Sequence, residues 1–196
     1  EVAEAVEEGL RERGIGNGHR RIEGKRTGCH GLCEAGPLVA IEPDGILYVR
    51  VKPHAVADIL DRTVLEGRVV ERLLYKDPVT KRRIAHYRDI PFYQYQTRIA
   101  MRNVGRVDPF DFEDAIAHGA YAAAVRALFE MTPDQVIEEV SRSGLRGRGG
   151  AGFHTGRKWR ACRKAAGDVK YVICNGDEGD PGAFKDRAVM EGDPHS

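Results

Sequence analysis

Val2, Ala5, Val6 and Leu10 recur at the spacing of one helical face. Gly14 and Gly16 follow and mark the end of that helix. Leu38 to Ile41 and Ile46 to Val51 are short apolar runs around Glu42-Pro43-Asp44-Gly45, which reads as a hairpin. Pro53 opens a further helix with Val56, Ile59 and Leu60 on one face and Gly67 near its end. Val69 to Tyr75 is one more short apolar–polar segment. Residues 1–75 therefore predict helix, strand, a glycine- and cysteine-bearing loop, hairpin and helix, a small α+β unit. Residues 76–110 carry Lys81-Arg82-Arg83, scattered aromatics and no sustained period, which predicts a connecting arm with a solvated basic run.

The pattern then turns helical from Phe112 to Phe129. Thr132-Pro133-Asp134-Gln135 has the form of a capping box, with proline at the first helical position. Val136, Ile137 and Val140 give that helix its apolar face, and Gly144 ends it. A glycine-rich loop follows, then a helix over 155–166, a strand over 169–174 and a loop from Asn175 onward. The chain shows no internal repeat.

Lysine and arginine total 31 against 30 acidic residues, a formal net charge of +1. That balance sets up no long-range field toward nucleic acid or a membrane. No apolar run approaches membrane-spanning length. Four cysteines in unequal settings do not form a secreted disulfide framework, so a reducing cytoplasm is the expected location. The chain opens inside a helical pattern without a methionine, and it reads as a piece of a longer protein.

The candidate chemistry lies in three loops. Ser143-Gly144-Leu145-Arg146-Gly147-Arg148-Gly149-Gly150-Ala151-Gly152-Phe153 contains G-x-G-x-x-G. A dinucleotide loop of the Rossmann type should follow a strand; this one follows a helix, which disfavours that fold. The loop can still turn successive backbone N–H groups toward a phosphate, beside Arg146, Arg148, Arg157, Lys158 and the positive end of the next helix. A plain surface loop is the bland alternative. An RNA-binding RGG tract fits poorly, because those tracts are repeated and disordered. Asn175-Gly176-Asp177-Glu178-Gly179-Asp180-Pro181-Gly182-Ala183-Phe184-Lys185-Asp186-Arg187 follows the expected strand and offers acceptors to polyol hydroxyls and ring N–H groups.

Together these two segments resemble the flavin-binding core of the NADH-binding flavoprotein subunit of respiratory complex I. The same subunit type recurs in NAD(P)-linked hydrogenases and formate dehydrogenases. The resemblance implies that Gly147, Arg148, Gly149 and Gly150 line an FMN and its phosphate. It implies that Lys158 lies beside the flavin and that Asn175, Asp177 and Glu178 contact it. Asp180 would face NADH, and Phe153 would stack on its adenine. Trp159 is expected in the core.

The third loop is Thr27-Gly28-Cys29-His30-Gly31-Leu32-Cys33-Glu34-Ala35-Gly36-Pro37. Thiolates four positions apart on a glycine-rich loop can hold one iron, and four thiolates hold a cluster. Zinc on Cys29 and Cys33 with His19 or His30 is an alternative, and incidental cysteines are another. The loop resembles the second cysteine pair of thioredoxin-like [2Fe–2S] ferredoxins. That resemblance puts the first pair upstream of the opening helix and makes Cys29 and Cys33 the metal ligands. Cys162 and Cys174 are expected as small buried residues.

The expected class is α/β: a partial thioredoxin-like ferredoxin domain (1–75), an arm (76–110) and the start of an FMN- and NADH-binding domain (111–196). The implied function is an electron-input subunit of a multi-subunit NAD(P)H oxidoreductase, with FMN, NAD(H) and a [2Fe–2S] cluster as cofactors. Its partners would be other iron–sulfur subunits, with no nucleic acid and no direct membrane insertion. No side chain need act as nucleophile or general acid. The alternative is an assembly or relay module of the same fold without flavin.

Overall fold

The apolar face at the start of the chain forms helix α1 (Val2–Glu12). Its Leu10 joins a core with Ile46, Tyr48, Val51, Val56, Ile59, Leu60 and Val70, while Val2, Ala5 and Val6 pack at the margin. The computed structural model describes residues 1–15 and 22–196, so the expected helix-ending Gly16 and the candidate ligand His19 lie outside the described residues. By contact the chain divides into Glu1–Asp111 with Ala188–Pro194, and Phe112–Arg187 with His195–Ser196. Both contain helices; the small sheets belong to the first.

In the first unit, β1 (Val39–Ile41) and β2 (Ile46–Tyr48) form the expected antiparallel hairpin, with Val39 opposite Tyr48 and Ile41 opposite Ile46. The free edge of β2 is also used: Leu47 N–H donates to the Ala85 carbonyl at 2.9 Å and Val49 N–H to Leu73 at 2.8 Å. All three β2 residues are buried, as a strand flanked on both edges requires. The strand expected between α1 and the cysteine loop does not form within residues 22–32, because no described partner strand takes up its backbone groups.

Pro53 opens a helical stretch as a 3-10 turn (Pro53–Ala55), which passes through α2 (Val56–Asp58) into a π-helical segment (Ile59–Leu65). Its buried Thr63 lies 2.5 Å from the Tyr48 hydroxyl, which accepts from Val70 N–H at 3.0 Å. The single polar group of β2 is thereby satisfied inside the core.

Residues 76–110 contribute more than surface. Strands β3 (Tyr75–Lys76) and β4 (Arg83–Ile84) pair antiparallel around a turn that Asp77 closes. Asp77 Oδ1 accepts from Val79 N–H at 2.9 Å and Thr80 N–H at 2.6 Å. Lys81, Arg82 and Arg83 are exposed, as the charge run implied. Ile90 ends a 3-10 turn (Tyr87–Asp89), precedes α3 (Pro91–Gln94) and is fully buried, as is Val107.

In the second unit the helix expected over 112–129 is two helices, α4 (Phe112–Ala117) and α5 (Ala122–Phe129). Gly119, with φ +90°, breaks it in the way a left-handed glycine ends a helix. α6 (Pro133–Arg142) starts on the full capping box: Gln135 N–H donates to Thr132 Oγ1 and Thr132 N–H to Gln135 Oε1. It packs on α7 (Thr155–Lys164), and Arg160–Glu138 and Arg163–Asp134 pairs tie their outer faces.

The strand expected over 169–174 is irregular, and Tyr171, Val172 and Ile173 are 80%, 97% and 86% exposed. A strand needs a neighbour to hydrogen-bond with, and the described residues of this unit supply none. Trp159, Cys162 and Cys174 are exposed for the same reason: no described element of the unit covers them. Helix α8 (Lys185–Gly192) follows the acidic loop. Among the described residues, no helix is long and apolar enough to cross a membrane.

Candidate functional site

Helices α6 and α7 set the ends of the glycine loop. Between them, Gly147 N–H donates to the Phe153 carbonyl at 2.8 Å and Thr155 N–H to Leu145 at 3.0 Å. An isolated bridge between Arg146 and His154 completes this clasp, and Arg146 Nη1 donates to the Gly152 carbonyl at 3.1 Å. The loop is thus pinned at its base, and one of its two arginines is spent on shape.

Above the clasp the backbone is open. A Cβ added at Gly149, Gly150 or Gly152 would meet nothing within 4 Å. Gly150 (φ +102°) and Gly152 (φ +61°) adopt a left-handed backbone that side chains disfavour. The N–H groups of residues 148–152 have no hydrogen-bond acceptor among the described residues. Arg148, Arg157 and Lys158 are exposed and have no ion-pair partner among the described residues. α7 begins at Thr155 without a side-chain cap; Thr155 N–H is spent on Leu145, but the Gly156 and Arg157 N–H groups have no acceptor among the described residues, and the helix's positive end is open. Free N–H donors, three cations and room at the glycines make a cradle whose chemistry fits a phosphate. Phe153 is 58% exposed, available to stack on a ring.

The acidic loop holds itself by short-range bonds. Asn175 Oδ1 accepts from Asp177 N–H at 3.0 Å. Glu178, at φ +48°, accepts from Asp186 N–H at 2.8 Å and Arg187 N–H at 3.1 Å, capping the start of α8. That capping role is not legible in the sequence, because Glu178 lies well upstream of Lys185 and the local capping patterns span only the first turn. Asp177 and Asp180 are exposed, with carboxylates open to donors. The glycine-loop residues Gly147, Arg148, Gly149, Gly150 and Phe153, with Lys158, therefore gather around one clasp. Asn175, Asp177, Glu178 and Asp180 gather on a second loop of the same unit.

In the first unit the Cys29 and Cys33 sulfurs lie 3.4 Å apart, both exposed. This is too far for a disulfide and suits two ligands of one metal ion. Cys29 Sγ also accepts from Gly31 N–H at 3.3 Å, and Cys33 begins a 3-10 turn (Cys33–Ala35). The hydrogen bond to Cys29 raises the Cys33 thiol above its ordinary value, so a metal must displace protons to bind. Among the described residues no group of three or more His, Cys, Asp or Glu side chains could hold a metal. The pair fits half of a four-thiolate set. His30 is turned away among Tyr87 and Tyr93, with ring centroids 5.6 and 5.7 Å distant. Burial, then the charge of Arg98, lowers its pKa, and burial pushes Tyr93 up to about 12.

Residues 140–196 match the family model for the Nuo51 FMN-binding domain. The chain is 55% identical, over 52% of its length, to NADP-reducing hydrogenase subunit HndC of Solidesulfovibrio fructosivorans. It is 54% identical, over 50% of its length, to a NADH-quinone oxidoreductase subunit of Rhizobium meliloti. Similarity to NAD-reducing hydrogenase HoxS subunit alpha of Cupriavidus necator extends over 95% of the chain, at 35% identity. The chain spans 20%, 23% and 29% of these relatives' own lengths.

Proposed function

We propose, from the match of residues 140–196 to the Nuo51 FMN-binding domain model, that the chain is the electron-input part of a multi-subunit NAD(P)H oxidoreductase. The observation that carries the reading is the open glycine cradle, because its unspent N–H groups answer the one invariant demand of an FMN, its phosphate. Gly149 and Gly150 would let the backbone approach that phosphate, while Arg148 and Lys158 neutralise it. Asn175, Asp177 and Glu178 would accept from the ribityl chain and the ring edge. Asp180 and the exposed ring of Phe153 would receive NADH. Bound FMN supplies hydride acceptance in a two-electron step and release of electrons one at a time. The protein's task is then orientation and control of charge around the ring.

Cys29 and Cys33 would supply two thiolates of a [2Fe–2S] cluster in a thioredoxin-like domain. Their 3.4 Å separation and exposure support that role, and the ferredoxin resemblance puts the other cysteine pair upstream of α1. The similarity of nearly the whole chain to a NAD-reducing hydrogenase subunit supports hydrogenase-type or related partner subunits. The test is the flavin content of the purified full-length protein. FMN should copurify, and Gly149→Val should remove it by filling the space a ligand needs. A flavin-free wild type would favour the non-catalytic relay module instead.

A further inference from the structure

Beside the cysteine loop, the first unit contains a cavity of about 370 Å³. That size lies within the range of small-ligand sites. Its wall includes Arg88, Arg98, Arg102 and Arg106 against a single acid, Glu42. Glu42 is already engaged, as the acceptor of the Tyr87 hydroxyl at 3.0 Å. Arg98 is partly used: Nη2 donates to the His30 carbonyl at 2.6 Å and Nε to Gln96 Oε1 at 3.3 Å, and its guanidinium lies 5.4 Å from the Tyr93 ring centre. Arg102 is exposed and has no hydrogen-bond or ion-pair partner among the described residues. Arg88 Nε has an Asp89 carboxylate oxygen at 4.0 Å, but gathering the remaining guanidinium groups around one space is unfavourable unless a counter-charge occupies it. Two residues of the same wall also carry buried polar atoms with no hydrogen-bond partner among the described residues, His30 Nδ1 and Tyr93 Oη. Such orphans are uncommon and mark a missing donor or acceptor.

We propose that this cavity is a binding site for a phosphoryl oxyanion, either free phosphate or the phosphate of a mononucleotide, held by Arg98, Arg102 and Arg106. Guanidinium forks present paired N–H donors that match the spacing of phosphate oxygens. The Tyr93 hydroxyl gains an acceptor in the same ligand. The Tyr87 and Tyr93 rings offer a surface to a base if the ligand is a nucleotide. Because Arg98 also holds the His30 carbonyl, occupancy would steady the loop that presents Cys29 and Cys33. The cavity is built from residues of the first unit, and the glycine cradle from residues of the second.

Calorimetric titration of the full-length protein with inorganic phosphate, and in parallel with AMP, tests this at physiological salt. Saturable binding is expected, weakened about tenfold or more by Arg102→Gln, the loss of one charge-assisted contact. Arg106→Gln should act alike, and Arg11→Gln, on helix α1, should change nothing. AMP binding clearly tighter than phosphate identifies the nucleotide source; equal binding identifies the free anion. Binding that survives both cavity variants but fails in Gly149→Val would belong to the glycine cradle and would overturn the proposal. So would the absence of millimolar binding by either probe in wild-type protein that melts normally.

Discussion

Gly156 of α7 lies against Ser141 of α6 so closely that a Cβ on the glycine would sit 2.8 Å from the serine Cα. The two helices that flank the glycine loop are therefore in backbone contact, and the clasp below the cradle depends on that approach. Gly156→Ala should destabilise the unit by about 1–3 kcal/mol through overpacking, despite the ordinary preference of helices for alanine. Hydrogen exchange across α6 and α7 should quicken, and flavin retention should fall with it. Unchanged exchange would mean that the helices are not in contact.

Tyr48 bridges Thr63 and Val70 inside the core of the first unit. Tyr48→Phe leaves the Val70 N–H without its acceptor, a loss of about 1–3 kcal/mol. The denaturation midpoint should drop accordingly. Thr63→Val on the Tyr48→Phe background should cost less than it does alone, because the partner is already gone. Additive losses would show the two hydroxyls to be independent.

How much of the fold and the site is legible in the sequence depends on whether the deciding contacts are local. The Thr132–Gln135 box and the hairpin over 39–48 can be read directly, since their signals lie within a few residues. The glycine and cysteine loops are also visible from composition alone. Ile90 and Val107 are fully buried in a segment without period, where no local pattern marks an inward face. The run over 169–174 has strand chemistry, but strand formation requires a partner that local sequence cannot supply. The sequence marks Glu178 as a ligand acceptor, whereas its use in capping α8 comes from a fold-back over several residues.

Asp77 gives the first unit an acid-sensitive turn. Hydrogen bonds from Thr80 N–H, then from Val79 N–H, hold its carboxyl below the usual carboxylate range. The folded pKa lies under the unfolded one, so this stabilisation is complete above the ordinary value of about 4 and is lost as pH falls through the folded value. Melting temperature followed from neutral into strongly acidic solution should fall less steeply in Asp77→Asn than in wild type. Parallel curves would show that Asp77 does not set the acid response.

Glu178→Ala removes the carboxylate that accepts from Asp186 and Arg187 N–H. The cost should be about 0.5–2 kcal/mol, that of a lost helix cap, and the first turn of α8 should exchange its amides faster. A cap at this position also orients the acidic loop. Protection that persists at those two amides would mean another group caps the helix.

The most direct measurement of electron input is anaerobic addition of NADH to the purified full-length protein, followed at the flavin absorption band. Bound FMN should be present and should bleach on NADH addition, and Gly149→Val should abolish the band while leaving the first unit folded. A protein that retains FMN but is not reduced by NADH, or a Gly149→Val variant with full flavin content and normal bleaching, would contradict electron input through the glycine cradle.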